Sequence, residues 1–147
     1  MKKFELTSET KINIFGKKLF RIKALISFGN VEAGETGGWV EKEENVNQSG
    51  DAWVFGNAEV FGNARVFGNA RVFGNADYAT IHGFGTQFRT TTFFRCKDKQ
   101  VKVSCGCFYG TIPEFREQVK NTRKGKIAEE YLMIADLMEK HFAEEAK

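Results

Sequence analysis

Small and apolar residues recur every six positions from about residue 49 to residue 83. The motif Phe-Gly-Asn-Ala occurs four times, beginning at Phe55, Phe61, Phe67 and Phe73. An apolar residue closes each unit, in the series Val54, Val60, Val66, Val72 and Tyr78. In an extended chain the alanine and the closing residue of a unit point to one side, and Gly-Asn then allows a bend. An equal bend in every unit closes a triangle, so the repeat predicts a short parallel β-helix with three units per coil, the kind that usually winds left-handed.

The four repeat phenylalanines are predicted to lie on the outside of this β-helix. Residues three units apart would stack, which places Phe55 against Phe73. A regular series of exposed aromatic side chains is more apolar surface than a solvated monomer normally presents. We therefore expect these residues to be covered by another element or by another subunit, in a homodimer or homotrimer.

The segments on either side of the repeat predict the remaining architecture. Residues 12–15 and 19–26 form an alternating pattern across a Gly-Lys-Lys turn, which indicates a β-hairpin. Residues 31–48 have the composition of a loop. A solenoid needs caps at its ends, so residues 1–48 are predicted to cap the β-helix of residues 49–84, and residues 85–147 to cover the other end or a face.

The C-terminal part predicts a second hairpin followed by two helices, which gives a mainly β fold with C-terminal α structure. Residues 87–96 and 101–105 alternate on either side of a four-residue polar turn. Thr111 and Glu114 have the spacing of a capping box, with Pro113 in the first turn of a helix. From about residue 126, an apolar stripe at helical spacing predicts the second helix.

Composition and charge narrow the possible partners. The chain has 147 residues and a formal net charge of +3, which is too small to predict a nucleic-acid partner by itself. No segment approaches the ~18 apolar residues that a membrane-spanning helix needs, and the first nine residues lack the apolar core of a signal peptide. We therefore expect a cytoplasmic protein with reduced Cys96, Cys105 and Cys107.

The order of these segments resembles a family of small hexapeptide-repeat proteins of phages and prophages, most of which have no assigned activity. The residues that carry the resemblance are Glu9-Thr10-Lys11, Arg21-Ile22-Lys23-Ala24-Leu25, Phe28-Gly29-Asn30-Val31, Gly34, Gly37-Gly38, Glu41-Lys42-Glu43-Glu44-Asn45, the Gly-Asn-Ala repeats, Thr92-Phe93-Phe94-Arg95-Cys96-Lys97-Asp98 and Val103-Ser104-Cys105-Gly106-Cys107-Phe108. The resemblance implies a β-helix and a location in the host cytoplasm. It supplies no catalytic residue for this chain.

Histidine and cysteine offer two alternative chemistries. The chain has two histidines, His82 and His141, whereas the zinc site of a γ-type carbonic anhydrase needs three. His82 could be the general base of a hexapeptide-repeat acyltransferase, although no acidic residue is near it in sequence; the alternatives are a structural or ligand-contacting histidine. The three cysteines are interpreted as core residues rather than metal ligands, because Cys-x-Cys is not a usual zinc spacing. No cofactor is expected.

One face of the second hairpin is the candidate site. If Cys96 faces Val101, then one face of this hairpin is apolar and carries Phe94, Cys96, Val101, Val103 and Cys105. The opposite face then carries Arg89, Thr91, Phe93, Arg95, Lys102 and Ser104, with His82 nearby. Guanidinium groups, hydroxyls and an exposed ring suit a phosphate-bearing ligand, while the alternative is an ordinary solvated face.

These observations predict a non-catalytic phage-type binding protein. Its ligand would be a small anion, such as a nucleotide that carries a host-defence signal, and no membrane or nucleic-acid partner is expected. The first alternative is an acyltransferase-like enzyme that uses His82. The second is a structural or protein-interaction module that uses the phenylalanine faces.

Overall fold

The computed structural model describes residues 2–87, 89–106 and 108–143. Its strands and helices, in chain order, are β1 (Phe4–Ile12), β2 (Lys18–Ala24), β3 (Thr36–Val40), β4 (Trp53–Val54), β5 (Glu59–Val60), β6 (Arg71–Val72), β7 (Tyr78–Phe84), β8 (Arg89–Arg95), β9 (Val101–Cys105), β10 (Phe108–Thr111), α1 (Ile112–Thr122) and α2 (Gly125–Phe142). The predicted second hairpin and both predicted C-terminal helices are present. The N-terminal hairpin is formed by β1 and β2, so residues 13–15, predicted as its first strand, lie in its turn. The predicted loop of residues 31–48 contains the strand β3. The division of the chain at residues 48 and 84 stays a prediction.

The strands form three separate sheets. The first has the order β1-β2-β3-β5, in which only the β3–β5 pair is parallel. The second has the order β10-β9-β8-β7 and is antiparallel throughout. The third is the parallel pair of β4 and β6, which joins Trp53 to Arg71.

The prediction of a parallel β-helix, and with it of a left-handed hexapeptide-repeat solenoid, is wrong. Each repeat strand that the structure describes is two residues long, and these strands belong to different sheets rather than to one continuous face. The rest of each unit is turn, so a unit supplies too few backbone hydrogen bonds to build a coil wall alone. The longer strands lie before and after the four Phe-Gly-Asn-Ala motifs, and they pair with one another antiparallel, as chain segments joined by short loops do.

The inward residues of the repeat were nevertheless identified correctly. The buried alanines and valines that alternate through it are Ala52, Val54, Ala58, Val60, Ala64, Val66, Ala70 and Val72. Phe4 and Ile22 from the first sheet and Phe94 from the second complete the same apolar core. The six-residue period therefore specifies which side chains are buried, even though it does not specify a solenoid.

The repeat phenylalanines are largely covered within the chain. Phe61 lies 5.8 Å from Phe15 between ring centroids, Phe67 lies 6.0 Å from Tyr109, and Phe55 stacks on Phe73 at 4.3 Å. Phe73 remains 59% exposed. Contacts inside one molecule thus account for most of the aromatic surface on which the predicted homodimer or homotrimer was based.

The second sheet lies between two cores. Phe94 faces the repeat and belongs to its core, whereas Phe93 packs with Val103, Phe115 of α1 and Tyr131 of α2. Helix α1 begins with the predicted capping box, since the Thr111 hydroxyl accepts from the Glu114 amide and the Glu114 carboxylate accepts from the Thr111 amide. Among the described residues, no helix is long and apolar enough to span a membrane.

The first sheet touches the repeat through two adjacent glycines of β3. A Cβ on Gly38 would lie 2.6 Å from the Ala58 carbonyl oxygen and 2.6 Å from a Val54 methyl carbon. We expect Gly38→Ala to lower the free energy of unfolding by about 1–3 kcal/mol, because the backbone oxygen cannot move aside cheaply. Gly74→Ala is the matched control, since nothing lies within 4 Å of its added carbon. Urea unfolding measures both, and equal midpoints would contradict this close approach.

Candidate functional site

The turn between β8 and β9 sets which side chains share a face of the second sheet. The Cys96 amide donates to the Gln100 carbonyl at 2.9 Å, and the Lys99 amide donates back to the Cys96 carbonyl at 2.9 Å. Lys99 has a φ of 66°, as the last residue of a three-residue hairpin loop commonly does. Cys96 therefore faces Gln100, and Val101 faces Arg95, so the assumed pairing of Cys96 with Val101 is wrong by one residue.

This difference divides the predicted basic face between the two sides of the sheet, because a one-residue slip exchanges the faces of one strand. Thr91 and Phe93 lie on the helix side and are buried, so Phe93 cannot be the exposed stacking ring that was predicted. Ser104 pairs with Thr92 on the repeat side. The seven predicted residues therefore do not form one site.

Two of the predicted cations have partners elsewhere in the chain. The Arg95 guanidinium donates to the Phe142 carbonyl at 2.9 Å and lies 3.3 Å from the Asp77 carboxylate, which ties the sheet to the end of α2. The Lys102 ammonium lies 5.5 Å from the centroid of the Tyr109 ring. Both side chains stabilise the fold, and neither lines the cleft described next.

Three of the predicted residues, His82, Arg89 and Ser104, line a common cleft of about 360 Å³. The cleft lies between the repeat side of the second sheet and the segments that follow β3 and β5. Its other lining residues are Lys42, Asn63, Arg65, Thr90, Thr92 and Gly106. The cleft thus combines four basic side chains with three hydroxyls.

The floor of the cleft is built by two cross-strand pairs. Thr92 opposite Ser104 and His82 opposite Thr90 point to the same face, because directly paired residues share a face in an antiparallel sheet. His82 Nδ1 lies 3.2 Å from the Thr90 hydroxyl. The Thr92 hydroxyl accepts from the Arg65 amide at 3.1 Å, which attaches the repeat to the sheet. Thr92 and Ser104 are almost fully buried, so the floor is fixed in position.

The walls of the cleft are cationic. Lys42 donates to the Asn63 side-chain oxygen at 3.0 Å, and Arg65 is exposed on the opposite wall. Arg89 Nε donates to the Gln87 side chain at 3.0 Å, and its guanidinium lies where a Cβ on Gly106 would otherwise be. Within residues 2–87, 89–106 and 108–143, none of these three cations forms an ion pair.

The described lining of the cleft contains no carboxylate. Three positive charges that form no ion pair among the described residues lie above buried hydroxyls, and such a local environment attracts an anion. Guanidinium groups donate in a fork that matches two oxygens of a phosphate or carboxylate. The arrangement can therefore bind an anionic group without rearrangement of the sheet.

A larger basic cavity, of about 460 Å³, lies at the other end of the hairpin. Arg71, Lys97 and Lys99 contribute positive charge there, next to the exposed Phe73 ring. This cavity also contains Asp77, whose carboxylate pairs with Arg95 and accepts from the Phe73 amide at 2.8 Å. Two of its cations, Lys97 and Lys99, stand on an exposed turn, and a carboxylate lies among its lining residues, so we rank it below the cleft as an anion site.

The cysteines that the structure describes lie on opposite faces of the sheet. Cys96 is buried in the repeat core, as predicted, and burial raises its pKa to about 11. The Cys105 sulfur accepts from the Thr91 hydroxyl at 3.1 Å on the helix side. Cys107 lies outside the described residues. Among the residues placed by the structure, no three histidine, cysteine or acidic side chains come together as a metal site.

Sequence reasoning missed Lys42, Arg65, Thr90 and Thr92. Arg65 was recognisable as an outward residue of the repeat, and the alternation of Thr90 and Thr92 along β8 was visible. Their convergence depends on the loop register and on contacts between segments far apart in sequence. No protein-family model and no curated protein matches this chain.

Proposed function

We propose that the protein binds a small phosphate-bearing anion in the cleft formed by the repeat turns and the second sheet. The observation that carries the proposal is a set of three cations, Lys42, Arg65 and Arg89, that form no ion pair among the described residues. They line the cleft together with the buried hydroxyls of Thr92 and Ser104. The ligand class is the one expected from the sequence, whereas the site is a different one.

The chemistry of the lining favours a phosphate group over other anions. Arg65 and Arg89 offer forked donors, Lys42 offers a point charge, and the threonine and serine hydroxyls can donate to further oxygens. A volume of about 360 Å³ is at the small end of ligand sites. This suits a phosphate with a compact substituent, and a signalling nucleotide of the host is the first ligand to test, given the resemblance to phage proteins.

A second candidate function is catalysis by His82, which lines the same cleft. The described lining offers His82 the Thr90 hydroxyl as a partner at 3.2 Å and no carboxylate. A general base is normally oriented and made more basic by such a carboxylate. The acyltransferase alternative also depended on a β-helix, which the part of the chain that the structure describes does not form, so binding without turnover is the preferred function.

The proposal predicts that phosphate compounds stabilise the protein and that Arg89→Ala weakens this effect. A charge-assisted contact contributes about 1.5–3 kcal/mol, so its loss should weaken binding roughly tenfold or more. Thermal shift and calorimetry with inorganic phosphate, mono- and dinucleotides and acyl-CoA measure the effect. Lys120→Ala removes the same charge from the exposed side of α1 and should leave the affinity unchanged.

The results separate the functions. If no phosphate compound binds the wild-type protein, or if Arg89→Ala binds as tightly as wild type, the cleft is an ordinary solvated surface and the proposal is wrong. If a ligand is consumed, and His82→Ala keeps its affinity but stops its conversion, the protein is an enzyme. If the protein neither binds nor converts a phosphate compound, the structural or protein-interaction module is the remaining alternative.

A further inference from the structure

The outward face of α2 carries the most exposed apolar side chains found in either helix. Met133 is 68% exposed and Leu137 is 58% exposed, one helical turn apart. The opposite face of α2 is already used, since Tyr131, Ile134, Ala135, Met138 and Phe142 are buried against the sheet and α1. Met133 and Leu137 therefore contribute nothing to the core of this molecule.

Charged residues extend this apolar pair into a longer seam. Glu130 precedes Met133 by three positions, and Lys140 follows Leu137 by three. The resulting spacing of three, four and three is the spacing of the contact positions of two helices that pack along each other. We call residues 130, 133, 137 and 140 the α2 seam.

The α2 seam is complementary to itself when its direction is reversed. A two-fold axis midway between Met133 and Leu137 would bring Met133 opposite Leu137 of a second copy, twice. The same axis would bring Glu130 opposite Lys140 of the second copy, also twice. In an isologous interface one patch must match itself in this way, and a parallel alignment would instead oppose like charges.

We infer that two copies of this chain form an antiparallel dimer through the α2 seam. Two of the neighbouring acidic residues are paired within the molecule, since Arg116 of α1 donates to Asp136 at 2.8 Å and to Glu139 at 3.1 Å. Both the apolar and the charged positions of the α2 seam are matched by the same positions of a second copy. A second copy therefore fits better than an unrelated helix.

One helix pair buries less than the ~1,200–2,000 Å² of a standard stable interface. The dimer is therefore weak, with a dissociation constant in the micromolar range. Helix α2 contributes no side chain to the anion cleft, so dimer formation and anion binding are separable properties.

Sedimentation velocity at increasing concentrations of the full chain tests the inference. The wild-type protein should shift from 16.6 kDa toward twice that mass. Leu137→Glu should weaken the association by roughly thirtyfold or more, the size of the loss at an interface hot spot. Lys120→Glu makes a charge change on exposed α1 and should dimerise as wild type does.

A charge exchange tests the antiparallel register itself. Glu130→Lys and Lys140→Glu should each weaken the dimer, and the double variant should restore it, because each residue faces the other type across the two-fold axis. Leu137 and Lys140 are exposed and Glu130 is half-buried, outside the core, so thermal unfolding should show folded proteins. A wild-type monomer at every concentration, a Leu137→Glu dimer, or a double variant that stays monomeric would each overturn the inference.

Discussion

Val66→Asp is expected to abolish the folded protein. Val66 is fully buried in the repeat core. Its backbone is bonded on both sides, to the Asn45 carbonyl and from the Asn47 amide, each at 3.0 Å. Burial of an unpaired carboxylate costs several kcal/mol even after protonation, which is comparable to the roughly 5–15 kcal/mol that stabilise a whole domain. Circular dichroism and the soluble yield measure the result.

Arg65→Asp is the matched control, because it introduces the same group one position earlier on an exposed side chain. This variant should fold with a melting temperature near that of the wild type. If both variants fold equally well, or if both fail, the alternation of inward and outward positions through the repeat is wrong.

Reversal of two charges in the cleft should remove anion binding while the protein stays folded. In Lys42→Glu/Arg65→Glu, two cations of the walls become carboxylates beside the place where an anion would bind. Two lost contacts of about 1.5–3 kcal/mol each correspond to at least a hundredfold weaker binding. Titration calorimetry with the tightest phosphate compound measures the loss.

The control for this reversal is Lys97→Glu/Lys99→Glu, which makes the same change in charge at the larger basic cavity. Both lysines are on the exposed turn between β8 and β9. This variant should keep the wild-type affinity. Loss of binding in this variant, with binding retained in Lys42→Glu/Arg65→Glu, would place the anion at the other end of the hairpin.

Local patterns predicted the two C-terminal helices and the inward residues of the repeat. The capping box at Thr111 and the apolar stripe of α2 each depend on neighbours within a few positions, which the sequence displays directly. The buried alanines and valines followed from the six-residue period for the same reason. Such features need no knowledge of how distant segments pair.

The sheet arrangement and the site depended on information that local patterns lack. The repeat predicted a solenoid, yet its strands have two residues each, and β5 pairs with β3 of the first sheet instead. The predicted binding face failed because the conformation of Lys99 moved the β8–β9 register by one residue. The sequence does not show how many residues form the β8–β9 loop, and a difference of one residue exchanges the faces of a strand.

Anomalous diffraction can locate a phosphate-like anion bound in the cleft. Crystals grown with tungstate, a heavy tetrahedral oxyanion, would report the position of the anion without assumptions about the rest of the ligand. Binding in the cleft predicts an anomalous peak between the side chains of Lys42, Arg65 and Arg89, above Thr92 and Ser104. A peak beside Arg71 and Lys97 with the cleft empty, or no peak at a concentration that stabilises the protein in solution, would contradict it.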